Sequence, residues 1–120
     1  DDVAGNEIIL NFITVKSCNK RIEEGSLFYE LKIDEKIVGI FEIEKNHLTL
    51  LYIKNKYQNK NLGSICINFI KSLLKQKFDR ISVFASPFSH LFYFKNNFEY
   101  LDKKIHNMKG IKFYKMEMEF

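Results

Sequence analysis

The stretch of sequence that decides the fold is residues 53–64, which read IKNKYQNKNLGS. It joins the end of an apolar run to a segment in which apolar side chains recur at three- and four-residue intervals, the spacing of an amphipathic helix. That helical stripe comprises Leu62, Ile65, Cys66, Phe69, Ile70, Leu73 and Leu74. A strand that passes through a short polar loop into a helix presents free backbone N–H groups and the positive helix end at one point, which suits a pyrophosphate.

Upstream of this junction the pattern is typical of strands. Residues 8–15 form an apolar, β-branched run, and residues 27–33 alternate with a period of two. Short polar turns then lead into two more predicted strands, residues 37–44 and 47–54, so three antiparallel strands follow one another. The polar residues 17–24, before this group, leave room for at most two helical turns.

Downstream of the predicted helix, residues 80–86 form a compact apolar strand. The strand's final serine and the proline after it are a typical start for a second helix, because serine caps helices and proline fits the first turn. We expect that helix to end at Asn97, since asparagine tolerates the left-handed conformation that often ends helices. Residues 100–105 and 111–120 then predict two strands that flank residues 106–110 in a closing hairpin.

Composition and length indicate one domain over residues 1–120. Hydrophobic residues make up 46% of the chain, and twelve Phe and six Tyr supply a real core. The formal charge of +4 comes almost entirely from lysine, since Arg21 and Arg80 are the only arginines. Recognition of nucleic acid, which relies on the flat guanidinium and on aromatic RNA-binding motifs, is therefore not expected.

Cysteine content and hydropathy predict a cytoplasmic protein. Cys18 and Cys66 are too few for a secreted disulfide framework and lack the spacing of zinc ligands, so we expect a reduced compartment and no metal. No apolar run approaches the roughly 20 residues that span a bilayer, so no membrane association is expected. Residues 1–7 are acidic and polar, unlike a signal peptide, and are interpreted as a disordered tail or a remnant of processing or cloning.

Two segments carry a resemblance to a known family. The pattern Q-x-x-N-x-G-S over residues 58–64 resembles the acetyl-CoA loop of the GNAT acetyltransferase superfamily, which usually reads Gln or Arg, two residues, Gly, one residue, then Gly or Ala. Residues 86–98 look like the family's last helix, with its tyrosine, its lysine and a closing Gly-Phe. Asn61 and Asn97 stand where the family commonly has glycine. The similarity covers residues 27–120 in the expected order.

The resemblance implies an α/β (α+β) fold with a mixed, mostly antiparallel central sheet, flanking helices and an abbreviated N-terminal helical region. In that fold the strand before the loop and the strand after its helix are parallel and splay apart. Taken from the residues alone, the loop also fits a plain strand–turn–helix connection.

The resemblance further implies acetyl-CoA as cosubstrate. Its pyrophosphate would lie on the N–H groups of residues 59–64, with Lys60 adding charge, and its pantetheine arm would run along residues 51–54 like an added strand. The residues expected at the cofactor are Leu51, Tyr52, Ile53, Lys54, Gln58, Asn59, Lys60, Asn61, Leu62, Gly63 and Ser64.

The resemblance also suggests catalytic residues. Tyr93 stands where many members of the family have the tyrosine that donates a proton to sulfur, and a core tyrosine in an aromatic-rich helix fits the same pattern. His47 falls where the histone-acetylating branch has a glutamate, and an imidazole could accept a proton directly or through water. A solvated hairpin histidine is the alternative, Glu42 and Glu44 are further candidates for the base, and many members use a water chain alone.

The function implied is transfer of an acetyl group from acetyl-CoA to a primary amine, on a small molecule or a protein, by direct attack in a ternary complex. A second possibility is a non-catalytic CoA-binding or protein-interaction module that keeps the fold, and a small nucleic-acid-binding domain is a third. Residues 100–120 could supply a paired edge for a homodimer.

Overall fold

Eight strands and two helices make up the part of the chain that the computed structural model describes, residues 10–14 and 25–120. Predictions for residues 1–7, for residues 17–24 and for Cys18 lie outside the described residues. The elements in chain order are β1 Leu10–Thr14, β2 Ser26–Ile33, β3 Lys36–Glu44, β4 His47–Ile53, a 3-10 turn Asn55–Tyr57, α1 Leu62–Leu74, β5 Arg80–Ala85, α2 His90–Lys95, β6 Glu99–Tyr100, β7 His106–Met108 and β8 Ile111–Glu119.

The strands form one sheet in the order β1-β2-β3-β4-β5-β8-β6, with β7 also paired to β8. Every neighbouring pair among these strands is antiparallel except β4 and β5. The predicted mixed, mostly antiparallel sheet is therefore confirmed. The parallel pair is short, because His47 pairs with Ser82 and Leu48 with Val83 and no pairing follows. The sheet consequently opens toward the end of β4.

The hairpin formed by β2 and β3 has a shorter turn than the sequence predicts. Its turn consists of Asp34 and Glu35 alone, with φ of 49° and 71°, and Lys36 already pairs with Ile33. Positive φ at both central residues is the condition of the two-residue turns that match the twist of antiparallel strands. The turn between β3 and β4 likewise uses a positive φ, 55° at Lys45.

Helix α1 packs its apolar stripe against one face of the sheet. Of the predicted stripe, Leu62, Cys66, Ile70 and Leu74 are buried, and Ile67 is buried as well. The facing strands contribute Leu31, Val38, Phe41, Ile43, Leu48, Ile81, Val83, Met116 and Met118 to the same core. This packing fixes the start of α1 beside the open end of β4.

The second helix starts later than the sequence predicts. Helix α2 begins at His90 rather than at Ser86. The Ser86 N–H donates to Ser89 Oγ at 3.0 Å, and the Ser89 N–H donates to Ser86 Oγ at 3.1 Å. These reciprocal bonds hold a turn ahead of the helix, the kind of local competition that serine offers. The predicted end is confirmed, since the chain leaves the helix at Asn97 with φ of 73°.

The predicted strand over residues 100–105 is wrong beyond its first residue. Strand β6 stops at Tyr100, and β7 begins only at His106. The Asp102 carboxylate accepts a backbone N–H two residues on and bonds the His106 ring at 3.1 Å, so a side chain holds this segment out of the sheet. The tip of the closing hairpin is Lys109 and Gly110, both at positive φ.

Candidate functional site

Gln58 holds the loop that follows β4. Its Nε2 donates to the Ile53 C=O at 2.9 Å and to Asn55 Oδ1 at 3.2 Å. Both acceptors precede Gln58 by a few residues, one at the end of β4 and one at the first residue of the 3-10 turn, so one side chain ties the loop back to the end of the strand. The first residue of the predicted motif therefore sets the shape of the loop.

Asn59 and Asn61 both adopt the left-handed conformation, each with φ of 62°. Asparagine is among the least costly non-glycine residues in this region, so the loop adopts a glycine-type geometry where the family commonly has glycine. The helix starts directly after it, since the Asn61 C=O accepts the Ile65 N–H at 3.0 Å. The N–H groups of the three residues between them have no acceptor within the helix and emerge at its positive end.

A cavity of about 680 Å³ lies between this helix start, the end of β4 and α2. We call it the junction cavity. Its lining includes most of the residues predicted from the sequence: Leu51, Ile53, Gln58, Asn59, Asn61, Leu62, Gly63, Ser64 and Tyr93. Four other predicted residues, Tyr52, Lys54, Lys60 and His47, do not line it.

The edge of β4 that faces β5 is open beyond its first two residues. The Lys54 N–H donates to the Val38 C=O at 2.8 Å, on the β3 side. Backbone groups alternate between the two edges of an antiparallel strand, so those of Ile53 and Leu51 point toward the gap. Gln58 engages the Ile53 C=O, and the N–H and C=O of Leu51 face the gap beside the cavity.

Gly63 lets α1 approach α2 closely. A Cβ at this position would lie 2.8 Å from two carbons of the Phe92 ring, nearer than side-chain carbons approach one another. The glycine that is expected at the cofactor therefore also makes room for an aromatic ring. Because Phe92 forms part of the cavity wall, a side chain at Gly63 would alter the cavity as well as the packing.

Tyr93 is both a core residue and part of the cavity lining. It is 6% exposed, and its ring meets the rings of Phe92 and Phe98 edge-on at centroid distances of 5.1 and 5.3 Å. Burial raises the pKa of its phenol above the ordinary value. Within residues 25–120, no hydrogen-bond partner engages its hydroxyl. The two interpretations of Tyr93 offered by the sequence are thus compatible in the structure.

His47 lies at the far end of β4 from the junction cavity. Its Nδ1 is 2.7 Å from Ser82 Oγ, and its ring meets that of Phe84 at 4.6 Å. Desolvation lowers the pKa of the imidazole below 6.5, and the charge of Glu44 partly offsets this. The histidine is therefore half-buried and bonded rather than a free hairpin residue, and the structure does not bring it to Tyr93.

The two glutamates on β3 also lie away from the junction cavity. Glu42 is buried, 4% exposed, and its Oε1 accepts a hydrogen bond from Thr49 Oγ1 at 2.6 Å. A β-bulge beside Glu42 brings these two residues together across the strands. Glu44 is exposed at the end of β3. The predicted alternatives for a base are thus one buried carboxylate and one solvated one.

Sequence reasoning missed the part of the wall supplied by α2, by the turn before it and by Tyr57. The residues concerned are Tyr57, Phe88, Ser89, Phe92, Lys95 and Asn96. Helical periodicity carries a signal for two of them, because Ser89 and Asn96 lie four residues before and three residues after Tyr93, on the same face of a helical turn. The fully exposed Phe88 has no comparable signal.

Other features of the described residues are plain. Burial raises the pKa of the Cys66 thiol to about 12, which keeps it protonated in the core. Residues 10–14 and 25–120 contain no cluster of three or more His, Cys, Asp or Glu arranged to hold a metal ion. In the same part of the chain, neither helix has the length and hydropathy of a membrane span.

Comparison with known proteins identifies the family. The family profile described as "Acetyltransferase (GNAT) domain" matches residues 2–120. The chain therefore belongs to the GNAT acetyltransferase family. Curated proteins give no significant match.

Solved structures share the fold. A GCN5-related N-acetyltransferase from Rhodopseudomonas palustris aligns with a TM-score of 0.71 and 18% identity over 81% of this chain and 63% of its own. The PaiA N-acetyltransferase of Thermoplasma acidophilum, in complex with coenzyme A, aligns with a TM-score of 0.66 and 22% identity over 86% of this chain and 66% of its own. A GNAT family acetyltransferase from Elizabethkingia anophelis with acetyl-CoA bound aligns with a TM-score of 0.66 and 15% identity over 96% of this chain and 99% of its own. The chain thus spans just under two thirds of the first two proteins and nearly all of the third.

Proposed function

We propose that the chain transfers an acetyl group from acetyl-CoA to a primary amine. The observation that carries this proposal is the junction cavity, where the N–H groups of a helix start, an open strand edge and a buried tyrosine meet. The N–H groups of a helix start suit a pyrophosphate, an open strand edge suits an amide-containing arm, and a tyrosine hydroxyl suits a thiolate leaving group. Coenzyme A and acetyl-CoA in the structures from T. acidophilum and E. anophelis support the choice of cosubstrate.

The residues at the start of α1 fit the phosphate end of this cosubstrate. The helix-start N–H groups and the positive helix end meet at the cavity, which Gly63 lines with backbone alone, while the Phe92 ring packs where a side chain at this position would stand. Lys54, Lys56 and Lys60 lie along the loop, and no acidic side chain in residues 25–120 pairs with any of them. These lysines lie outside the lining, so we assign them an electrostatic role at the mouth.

The edge of β4 fits the arm that carries the thioester. An extended, amide-containing chain can bind an open strand edge as an added strand does. The N–H and C=O of Leu51 face the gap, while Leu51 and Ile53 contribute side chains to the cavity wall. We infer that Leu51 donates to and accepts from the arm, and that Gln58 fixes its path by occupying the Ile53 C=O.

Tyr93 is the proposed proton donor. Acetyl-CoA supplies an acetyl thioester, whose carbonyl carbon gains a bond to the amine nitrogen as the carbon–sulfur bond breaks. The sulfur then needs a proton, which we assign to the Tyr93 hydroxyl. A phenol is protonated at neutral pH even at its ordinary pKa, and burial raises the pKa of this one further, so its hydroxyl carries the proton that the departing sulfur needs.

His47 remains the proposed acceptor of the proton that the amine loses. Its lowered pKa keeps the imidazole neutral near pH 7 and so able to accept a proton. Because His47 lies outside the junction cavity, we assign it a role through bridging water rather than direct contact with the amine.

Ser64→Glu tests the proposed position of the pyrophosphate. A carboxylate in the first turn favours the helix, so the variant should fold, but it repels an anion at the same point. We expect the Kd for acetyl-CoA, measured by calorimetry, to rise by about tenfold or more, equivalent to about 1.4 kcal/mol. Asn68→Glu makes the same charge change on the exposed face of α1 and should leave the Kd unaltered. Equal affinities of the two variants would overturn the assignment.

Thiol release tests the transfer itself. Addition of primary amines to the protein and acetyl-CoA should produce free thiol in step with amine consumption. Thermal stabilisation by acetyl-CoA with no thiol release across a broad amine panel would instead identify a binding module.

A further inference from the structure

A second cavity, of about 330 Å³, lies between β5 and the β7–β8 hairpin. Val83 and Ala85 are buried in the core on the α1 side of the sheet. Side chains alternate along a strand, so Phe84, which lies between them, stands on the opposite face and contributes to this second cavity. We call it the hairpin cleft. It is thus separated from α1 by the sheet.

The hairpin cleft is strongly apolar. Its apolar lining consists of Phe84, Met108, Ile111 and Phe113, and the rings of Phe84 and Phe113 stack at a centroid distance of 4.7 Å. Phe84 is nonetheless 51% exposed and Ile111 70% exposed. Apolar side chains that line a concave surface and remain open to solvent mark a binding site.

The charged groups of the hairpin cleft are all positive. Lys109 and Lys112 line it through their aliphatic stems, so their ammonium groups stand at its mouth, and no carboxylate lines it. In the described part of the chain neither lysine belongs to an ion pair. An apolar cleft with two unpaired ammonium groups is complementary to a molecule that has an apolar body and an anionic group. Its volume lies at the lower end of the range for small-molecule sites, so the occupant is small.

A pair of serines separates the hairpin cleft from the junction cavity. Ser86 lines the hairpin cleft and Ser89 lines the junction cavity. Their hydroxyl oxygens are 2.9 Å apart. A small molecule in the hairpin cleft could therefore extend a polar group toward the junction cavity across this single hydrogen-bonded pair.

We propose that the hairpin cleft binds the amine acceptor, and that this acceptor is a small primary amine with an aromatic or large aliphatic body and a carboxylate, in the manner of phenylalanine. The body packs against Phe84 and Ile111, the carboxylate pairs with Lys109 and Lys112, and the amine points toward Ser86. This assignment rests on the proposed function, because it identifies the substrate class of that reaction.

Binding of 3-phenylpropionate tests the hairpin cleft without turnover. This probe has the ring and the carboxylate but no amine, and it needs no acetyl-CoA. We expect saturable binding by the wild-type protein, monitored by NMR titration. Ile111→Glu, at an exposed position that should tolerate substitution, places a negative charge in the cleft and should raise the Kd about tenfold or more.

The paired variant Lys109→Gln/Lys112→Gln tests the role of charge. It should raise the Kd for 3-phenylpropionate about tenfold and leave that for the uncharged 3-phenylpropanol unchanged. Lys75→Gln/Lys77→Gln removes the same charge from exposed positions beyond α1 and serves as the control. Absence of probe binding, or equal binding by wild type and both cleft variants, would overturn the assignment.

Kinetics separates this assignment from the proposed function. The cleft lysine variant should raise the KM for phenylalanine, with the KM values for phenethylamine and acetyl-CoA unchanged. Thiol release with phenylalanine that is insensitive to these lysines would support acetyl transfer and refute the cleft. Lysine-dependent binding of 3-phenylpropionate with no thiol release from any amine would support the cleft and count against acetyl transfer.

Discussion

At Tyr93, burial and reactivity depend on the same surroundings. The ring packs between Phe92 and Phe98, while no partner for its hydroxyl exists in the described part of the chain. A buried hydroxyl without a partner costs free energy, so its removal should not destabilise the fold. A tyrosine kept for packing alone would gain nothing from the oxygen.

Tyr93→Phe should therefore separate catalysis from folding. We expect kcat to fall by roughly 100-fold or more, the usual range for loss of a general acid, with the Kd for acetyl-CoA and the Tm unchanged or slightly improved. Thiol release, calorimetry and thermal melting measure the three quantities. Tyr29→Phe removes a hydroxyl from a ring that stacks on Phe41 outside the cavity and should leave kcat unaltered. An unchanged kcat in Tyr93→Phe would return the residue to a purely structural role.

His47 makes stability depend on pH in a defined direction. Desolvation lowers its pKa below 6.5 in the folded protein, so below that pH the unfolded chain binds a proton that the folded one resists. Stability is therefore lost as pH falls from 6.5 through the folded pKa. Above this window the imidazole is neutral in both the folded and the unfolded state, so His47 adds no pH dependence there.

Replacement of His47 should flatten that dependence. Urea unfolding between about pH 5 and pH 8 should show a smaller loss of stability on acidification for His47→Gln than for wild type. Ser82→Ala keeps the imidazole but removes its hydroxyl partner, and it should retain the slope. Identical pH dependences of His47→Gln and wild type would show that the histidine titrates equally in both states.

At the scale of elements, the contact between α1 and α2 depends on one missing side chain. Gly63→Ala places a Cβ 2.8 Å from the Phe92 ring, and overpacking of this kind costs about 1–3 kcal/mol. The intrinsic preference of alanine for helix offsets up to about 1 kcal/mol of that cost. We therefore expect a net destabilisation in urea unfolding.

A double-mutant cycle isolates this contact. In a Phe92→Ala background the ring is gone, so Gly63→Ala should become neutral or stabilising through helix propensity. Asn68→Ala, at an exposed position of the same helix, is the propensity control, and its effect should not depend on Phe92. A Gly63→Ala effect that is the same with and without Phe92 would contradict the steric explanation.

The elements themselves were largely predictable, because each depends on local pattern. Period-two alternation and short polar turns defined β2, β3 and β4, and the apolar stripe defined α1. The errors fall where side chains compete with the backbone. The serine pair at Ser86 and Ser89 delays α2, and the Asp102 carboxylate ends the strand expected after Tyr100. Such bonds leave no periodic trace in the sequence.

The site was predictable in part for the same reason. The loop motif locates Gln58, Asn61 and Gly63, since their roles are set by backbone geometry within a few residues. The cavity wall from α2 and the separation of His47 from Tyr93 depend on how distant segments pack. The position of a residue along β4 in the sequence does not show whether it lies where β4 pairs with β5 or where the two strands have separated.

For the molecule as a whole, the decisive feature is the weak connection between two parts of the sheet. Strands β1 to β4 form one antiparallel set, and β5, β6 and β8 form another. They join through two residue pairs at the start of β4 and then separate. The junction cavity lies at the open end of β4, and the hairpin cleft lies on the face of the sheet away from α1.

This architecture predicts which backbone amides acetyl-CoA protects. An arm bound along β4 covers the N–H groups that point into the gap, those of Leu51 and Ile53, and leaves those of Leu50 and Tyr52, which face β3, as they are. With acetyl-CoA at 100 times its Kd, exchange at the first pair should slow by up to about 100-fold. Hydrogen exchange followed by NMR resolves the alternation, and the amides facing β3 are the internal control.

Equal slowing at all four positions would indicate general stiffening of β4, and protection of Leu50 and Tyr52 alone would place the arm on the wrong edge. Alternating protection would show that the gap between the two parts of the sheet is where the cosubstrate binds.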